Sequence, residues 1–116
     1  KFIEADPLQI REIFNNILTN AYQSFPKKTG KIETRVQADK KGYLEISFKD
    51  NGEGIDKEDL GRVFEPFFTR RSKGTGLGLT ICNELINLHS GKIDIDSKKG
   101  EGTTVKVVLP IKRVPK

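Results

Sequence analysis

Gly74-Thr75-Gly76-Leu77-Gly78-Leu79 alternates glycines with small or apolar residues, at the head of a stretch whose apolar positions recur at helical spacing: Leu77, Leu79, Ile81, Cys82, Leu85, Ile86 and Leu88. Glycines take away the side-chain wall, so backbone N–H groups can close on an anion, and the positive end of the following helix favours that anion. The run alone is a weak signal, because tight turns use the same residues. Its surroundings separate the folds. It follows a loop rather than a strand, no Gly-x-x-x-x-Gly-Lys occurs, and strands and helices do not alternate along the chain. The doubly wound dinucleotide fold and the P-loop fold are therefore disfavoured.

Downstream of the run, Gly91 after His89-Ser90 reads as the C-cap of the helix. Strands follow over 92–96 and 103–109, separated by Ser97-Lys98-Lys99-Gly100-Glu101-Gly102 and ended by Pro110. Upstream, 56–63 reads as a short helix with Asp56 as N-cap and Asp59 at the capping-box spacing. Before it, 31–38 and 43–49 alternate in strand fashion around Asp39-Lys40-Lys41-Gly42 and make an antiparallel hairpin. The first helix starts at Pro7 after Asp6, carries Leu8, Ile10, Ile13, Phe14, Ile17, Leu18, Ala21 and Phe25 on one stripe, and stops at Pro26. This order argues for an α+β sandwich with helices on one face of a largely antiparallel sheet.

Length and composition bound the remaining classes. A chain of 116 residues is expected to form one domain around one core. A single cysteine, Cys82, excludes an internal disulfide framework and a cysteine-rich metal cluster, and its helical apolar context reads as a buried thiol in a reducing compartment. No stretch approaches transmembrane length, and the first residues are no signal peptide, so a cytoplasmic location is expected. The chain opens without Met, as a domain cut from a longer protein would. The net charge of +5 comes from scattered lysines and arginines, without the one-sided basic face and interleaved aromatics of a nucleic-acid module. Arg70-Arg71-Ser72-Lys73 stands apart because it leads into the glycine run. His89, the single histidine, sits at a helix end and reads as structural.

Three further features carry chemistry or can be explained without it. Glu12, Asn16, Asn20 and Gln23 form a polar stripe beside the apolar face of the first helix, either a solvated edge or a site. Asp50, at a strand end before Asn51-Gly52-Glu53-Gly54-Ile55, is a turn residue or a buried acceptor, and an adenine amino group would supply its donor. Phe64, Phe67 and Phe68 around Pro66 are core plugs, or anchors of a flap whose far end contacts phosphate.

Taken in order with Gly100-Glu101-Gly102-Thr103-Thr104-Val105, these segments resemble the catalytic ATP-binding domain of sensor histidine kinases, in the GHKL or Bergerat-fold superfamily. The likeness covers nearly the whole chain. It implies a two-layer α/β sandwich in which a mixed, mostly antiparallel sheet of about five strands packs on about three helices. It also implies ATP and Mg²⁺ as ligands. Asn20 matches the Mg²⁺-binding asparagine, and Asn16 the preceding residue of that motif, near the phosphates or the metal's waters. Asp50 matches the adenine-reading aspartate, which favours ATP over GTP. Gly52 and Gly54 let the backbone approach the base, with Ile55 and Phe67 lining the pocket or bracing the lid. Thr103 fits the position whose hydroxyl joins Asp50 or a water at the adenine edge.

The same likeness makes 74–79 the hinge and helix start of an ATP lid, with Gly74, Thr75, Gly76, Leu77, Gly78 and Leu79 offering backbone to the triphosphate. Arg71 is the first choice for a cation meeting the γ-phosphate, with Arg70 and Lys73 behind it. Asn16 stands where hydrolysing members carry a glutamate, so transfer to a protein histidine is favoured over attack by water. Tyr22-Gln23-Ser24 replaces the Lys-Tyr that many histidine kinases carry after Asn-Ala, and Gln23 matches the nitrogen-regulation and sporulation type. The implied partners are an upstream helical domain bearing the phosphoacceptor histidine, absent from this chain, and through it a response regulator in a two-component system. The parent is expected to be a homodimer and this segment a monomer. An anti-sigma-type serine kinase or a non-catalytic ATP-responsive domain of the same fold are the alternatives.

Overall fold

The computed structural model describes residues 5–25, 30–39, 41–65 and 78–111. Its elements are α1 (Pro7–Gln23), β1 (Ile32–Ala38), β2 (Tyr43–Asp50), α2 (Lys57–Leu60), α3 (Gly78–Leu88), β3 (Lys92–Lys98) and β4 (Gly102–Pro110). The strands form one sheet in the order β1-β2-β4-β3, with every neighbouring pair antiparallel. The α+β class and the two hairpins agree with the expectation. Among the described residues the sheet has four strands and no parallel pair, where about five strands in a mixed sheet were expected.

The period of two along each strand sorts the side chains. Ile46 of β2, Val107 of β4 and Ile93 of β3 stand in one cross-strand row, and Phe48, Val105 and Ile95 in the next. All but Ile95 are buried against the helices. The other face carries Glu33, Arg35, Glu45, Ser47, Lys49, Thr104 and Lys106, with Lys106 Nζ 3.1 Å from Glu45.

Helix α1 begins where the sequence marks it. The Asp6 carboxylate accepts the N–H groups of Leu8 at 2.9 Å and Gln9 at 3.2 Å, with Pro7 at the first helical position. Its apolar stripe buries Ile13, Ile17 and Ala21 over the sheet. Phe14 packs on Phe48 with ring centroids 5.6 Å apart. Helix α3 lies beside it and buries Cys82 and Ile86, with the Cys82 thiol donating to Ile13 O at 3.5 Å. His89 joins the far ends of the two helices. Its Nε2 accepts the Asp6 N–H at 3.1 Å, so its Nδ1 carries the proton and donates to Leu85 O at 2.8 Å. This is the structural role expected of it.

Two caps differ from the expectation. Asp56 occupies the N-cap position of α2, which is shorter than 56–63, but makes no side-chain cap bond. Its carboxylate turns to the Lys99 ammonium, 3.4 Å away, and a backbone bond from Asp59 to Asp56 O closes the turn instead. At the end of α3 the left-handed residue is Ser90, with φ of 59°, and Gly91 follows it. Ser90 N–H donates to Asn87 O at 3.0 Å and Gly91 N–H to Ile86 O at 2.9 Å, the paired bonds of a Schellman turn. Gly91 is needed for space. A Cβ there would run into Val108 O and lie 2.9 Å from Leu109 Cδ2.

The two residues therefore respond oppositely to substitution. Ser90→Gly relieves the left-handed backbone and is expected to raise stability by about 0.5–1 kcal/mol. Gly91→Ala overpacks the α3–β4 junction and is expected to lower it by about 1–3 kcal/mol. Urea denaturation of both variants measures this, and a left-handed Gly91 would reverse the pattern.

Candidate functional site

Asp50 is the last residue of β2 and only 7% exposed. A buried carboxylate needs donors, and Oδ1 receives two: Gly52 N–H at 2.9 Å and Thr103 N–H at 3.2 Å. The first comes from the turn after β2 and the second from the start of β4. Among the described residues no hydrogen bond falls on Oδ2.

The turn that carries these groups is wedged between two neighbours. On one side lies the end of α1. A Cβ on Gly52 would overlap the Ser24 hydroxyl, and Glu53 N–H donates to Ser24 O at 3.0 Å. On the other side lies the β3–β4 turn. Gly54, with φ of +74°, passes so close to Lys98 O that a Cβ would overlap it, and Gly100 N–H donates to Glu53 O at 2.7 Å. The Asn51 side chain is engaged elsewhere, accepting Lys31 N–H at 2.7 Å. Half-buried Ile55 gives its N–H to Ser97 Oγ at 2.8 Å.

Ser97 is a site residue that sequence reading missed. The strand expected over 92–96 continues to Lys98, so Ser97 belongs to β3 rather than to a turn. The signal was the alternation Ile93, Ile95, Ser97, which puts a hydroxyl on the apolar face. Thr103 also differs from the expectation. Its hydroxyl lies 2.7 Å from Ser97 Oγ, and what it offers Asp50 is its backbone N–H.

The polar stripe of α1 lies at the seam with α3. Asn16 is half-buried and reaches α3, its Oδ1 3.9 Å from where a Cβ on Gly78 would sit. Asn20 is half-buried one turn later, and its carbonyl accepts Ser24 N–H at 3.1 Å, one turn before the residue that supports the Asp50 turn. Gln23 is exposed. Gly78 and Leu79 open α3, where the first N–H groups have no intrahelical partner. Thr80 ties that first turn to Phe64 O at 2.8 Å, and Phe64 packs against the core. Phe67, Arg70, Arg71, Lys73, Gly74, Thr75, Gly76 and Leu77 lie outside the described residues. Asp50, Gly52, Gly54, Ile55 and Thr103 thus come together at the ends of β2 and β4, and Asn16 meets Gly78 across the helix seam.

A buried acceptor at a strand end, a double-glycine turn beneath it and an amide-bearing helix beside the N-terminus of a second helix are the parts with which a nucleotide-binding ATPase domain would hold its ligand. Residues 5–113 match the family of histidine kinase-, DNA gyrase B- and HSP90-like ATPases, and the chain belongs to it. It is an ATP-binding catalytic domain of the type found in sensor histidine kinases. Sporulation kinase C of Bacillus subtilis strain 168 is 38% identical over 110 residues, which cover 95% of this chain and 25% of that protein. The signal transduction histidine-protein kinase AtoS of Escherichia coli K12 is 39% identical over 109 residues, covering 94% and 18%. The chain therefore spans 25% or less of the length of these relatives. Among solved structures, the mycobacterial sensor histidine kinase MprB superposes with a TM-score of 0.83 at 29% identity, over 93% of this chain and 74% of that one. The full-length ShkA in complex with AMPPNP superposes at 0.76 and 26% identity, over 88% and 21%.

Cys82, on α3 behind Asn16, is the group of this seam whose ionisation is displaced. Burial pushes its thiol from 9.0 up to about 11, opposed by a hydrogen bond from Asn16 and helped by the negative charge of Glu12. The unfolded thiol ionises first as pH rises. The stability this contributes is complete below pH 9.0 and is lost between there and about 11. Urea midpoints measured from pH 8 to 11 should fall more steeply for the wild type than for Cys82→Ala. Parallel declines would place the thiol in contact with water.

Proposed function

We propose that this domain binds Mg²⁺-ATP and presents the γ-phosphoryl group to a histidine on a helical-hairpin domain of a longer parent, for relay to a response regulator. The observation that carries the proposal is the unequal use of the two Asp50 carboxylate oxygens. Oδ1 is held by two backbone donors and Oδ2 by none among the described residues. An ionised carboxylate is acceptor-only, so it pairs with the amino group of adenine and opposes the carbonyl of guanine.

The metal fits the residues present. Among the described residues no group of three His, Cys, Asp or Glu side chains could hold an ion. A single amide oxygen, that of half-buried Asn20, suits a hard cation that keeps water and takes its remaining ligands from phosphate. When bound, Mg²⁺ would neutralise charge on the phosphate oxygens. Asn16 and Gln23 flank Asn20 on the same helix, and the backbone of Gly74 through Leu79 would receive the triphosphate at the start of α3. Arg71, with Arg70 and Lys73, would supply positive charge to the transferring group, and Phe67 would brace the base. Phosphoryl transfer asks the protein for positioning and charge stabilisation rather than covalent chemistry. Asn16 cannot act as a base towards water, which supports transfer to a protein acceptor over hydrolysis.

The acceptor histidine and the dimer contacts belong in this proposal to the remainder of the parent, with 1–116 as its single ATP-binding unit. Among the described residues no helix is long and apolar enough to cross a membrane, and ATP availability favours a cytoplasmic location.

Binding of a fluorescent ATP analogue tests the site. Asp50→Asn should weaken it by about 30-fold, the worth of a charge-assisted hydrogen bond of about 2 kcal/mol. Asn20→Ala should remove the dependence of affinity on Mg²⁺. Unchanged binding in both variants defeats the assignment. Incubating the full parent with ATP should give an acid-labile phosphoryl product, whereas an acid-stable one points to a serine acceptor.

A further inference from the structure

We infer that Ser97 is a positioning residue for the adenine-reading carboxylate, and that its hydroxyl sets how sharply the site separates adenine from purines without an exocyclic amino group. The inference rests on the adenine-site reading of Asp50. A serine hydroxyl has one proton and two lone pairs, and this one uses them all. It donates to Gly102 O at 3.0 Å and accepts from Ile55 N–H at 2.8 Å. Its remaining partner, the Thr103 hydroxyl at 2.7 Å, must then be the donor in that contact. These partners belong to the same two segments that hold Asp50. Gly52 and Ile55 lie in one turn, and Gly102 and Thr103 begin β4. Ser97 therefore ties together, from a third strand, the sources of both N–H groups that fix Oδ1. With Oδ1 fixed, the direction of Oδ2 is set.

The turn has supports that do not pass through Ser97. Glu53 is bonded to Ser24 on one side and to Gly100 on the other. Removing the hydroxyl thus loosens the aim of the carboxylate without releasing the turn. Three polar groups lose a partner: the Ile55 N–H and the Thr103 hydroxyl belong to half-buried residues, where water can replace it, and the Gly102 carbonyl belongs to a buried one.

A role in general stability and a role in aiming Asp50 give different results. The affinities of ATP and of purine riboside triphosphate, which lacks the amino group, are measured for the wild type, Ser97→Ala and Ser97→Thr. In the wild type ATP binds more tightly. Ser97→Ala should weaken ATP by about fivefold while changing the analogue less than about twofold, and Ser97→Thr should restore the preference. If Ser97→Ala weakens both nucleotides equally, or keeps the wild-type preference, Ser97 does not aim the carboxylate and the inference falls alone. If the wild type shows no preference for ATP, the adenine-site reading fails and the inference with it.

Discussion

The buried carboxylate of Asp50 constrains the architecture around it. A charge at the end of a core strand is costly unless hydrogen-bonded, and the donors that meet it are backbone N–H groups from two separate segments. Holding those segments at hydrogen-bond distance forces the chain close to itself at Gly52, Gly54 and Gly102, where side chains would overlap Ser24, Lys98 and Asp50. The pairing of β2 with β4, non-consecutive strands, brings the two sources together. Sheet order and polar site are thus one arrangement seen from its apolar and polar ends.

The helix layer supplies the other half of the site. α1 and α3 bury Ile13, Ile17, Cys82 and Ile86 against the sheet, and the amides of Asn16 and Asn20 stand at the margin of that packing. Amides there sit between core and solvent, rigidly based and still accessible. Ser24 carries the rigidity onward, since it ends the last turn of α1 and supports both Gly52 and Glu53. Through it, the helix carrying Asn20 and the turn carrying Asp50 share one foundation.

Much of this was legible in the chain. The period of the apolar residues located both long helices and the four strands seen among the described residues, and Asp6-Pro7 located the first helix start. The segments holding Asn16, Asn20, Asp50, Gly52 and Gly54 stood out because amides on a helix edge and glycines after a strand-end carboxylate are costly without a purpose. Local rules failed where a partner on another strand or turn competed. Asp56 leaves its helix for Lys99, Thr103 turns its hydroxyl to Ser97, and Gly91 is kept small by β4 while Ser90 takes the left-handed turn.

The sequence by itself determined the elements, their order and the residue types that carry the chemistry, because hydrophobic period and cap chemistry act over a few neighbouring residues. Tertiary structure alone decided that Asp50 is held by Thr103, 53 positions away, that Ser97 links Ile55 to the start of β4, and that His89 joins the two helices. Each depends on a pairing between distant strands or helices, and no local pattern encodes the partner of a hydrogen bond that only the closed sheet brings within reach.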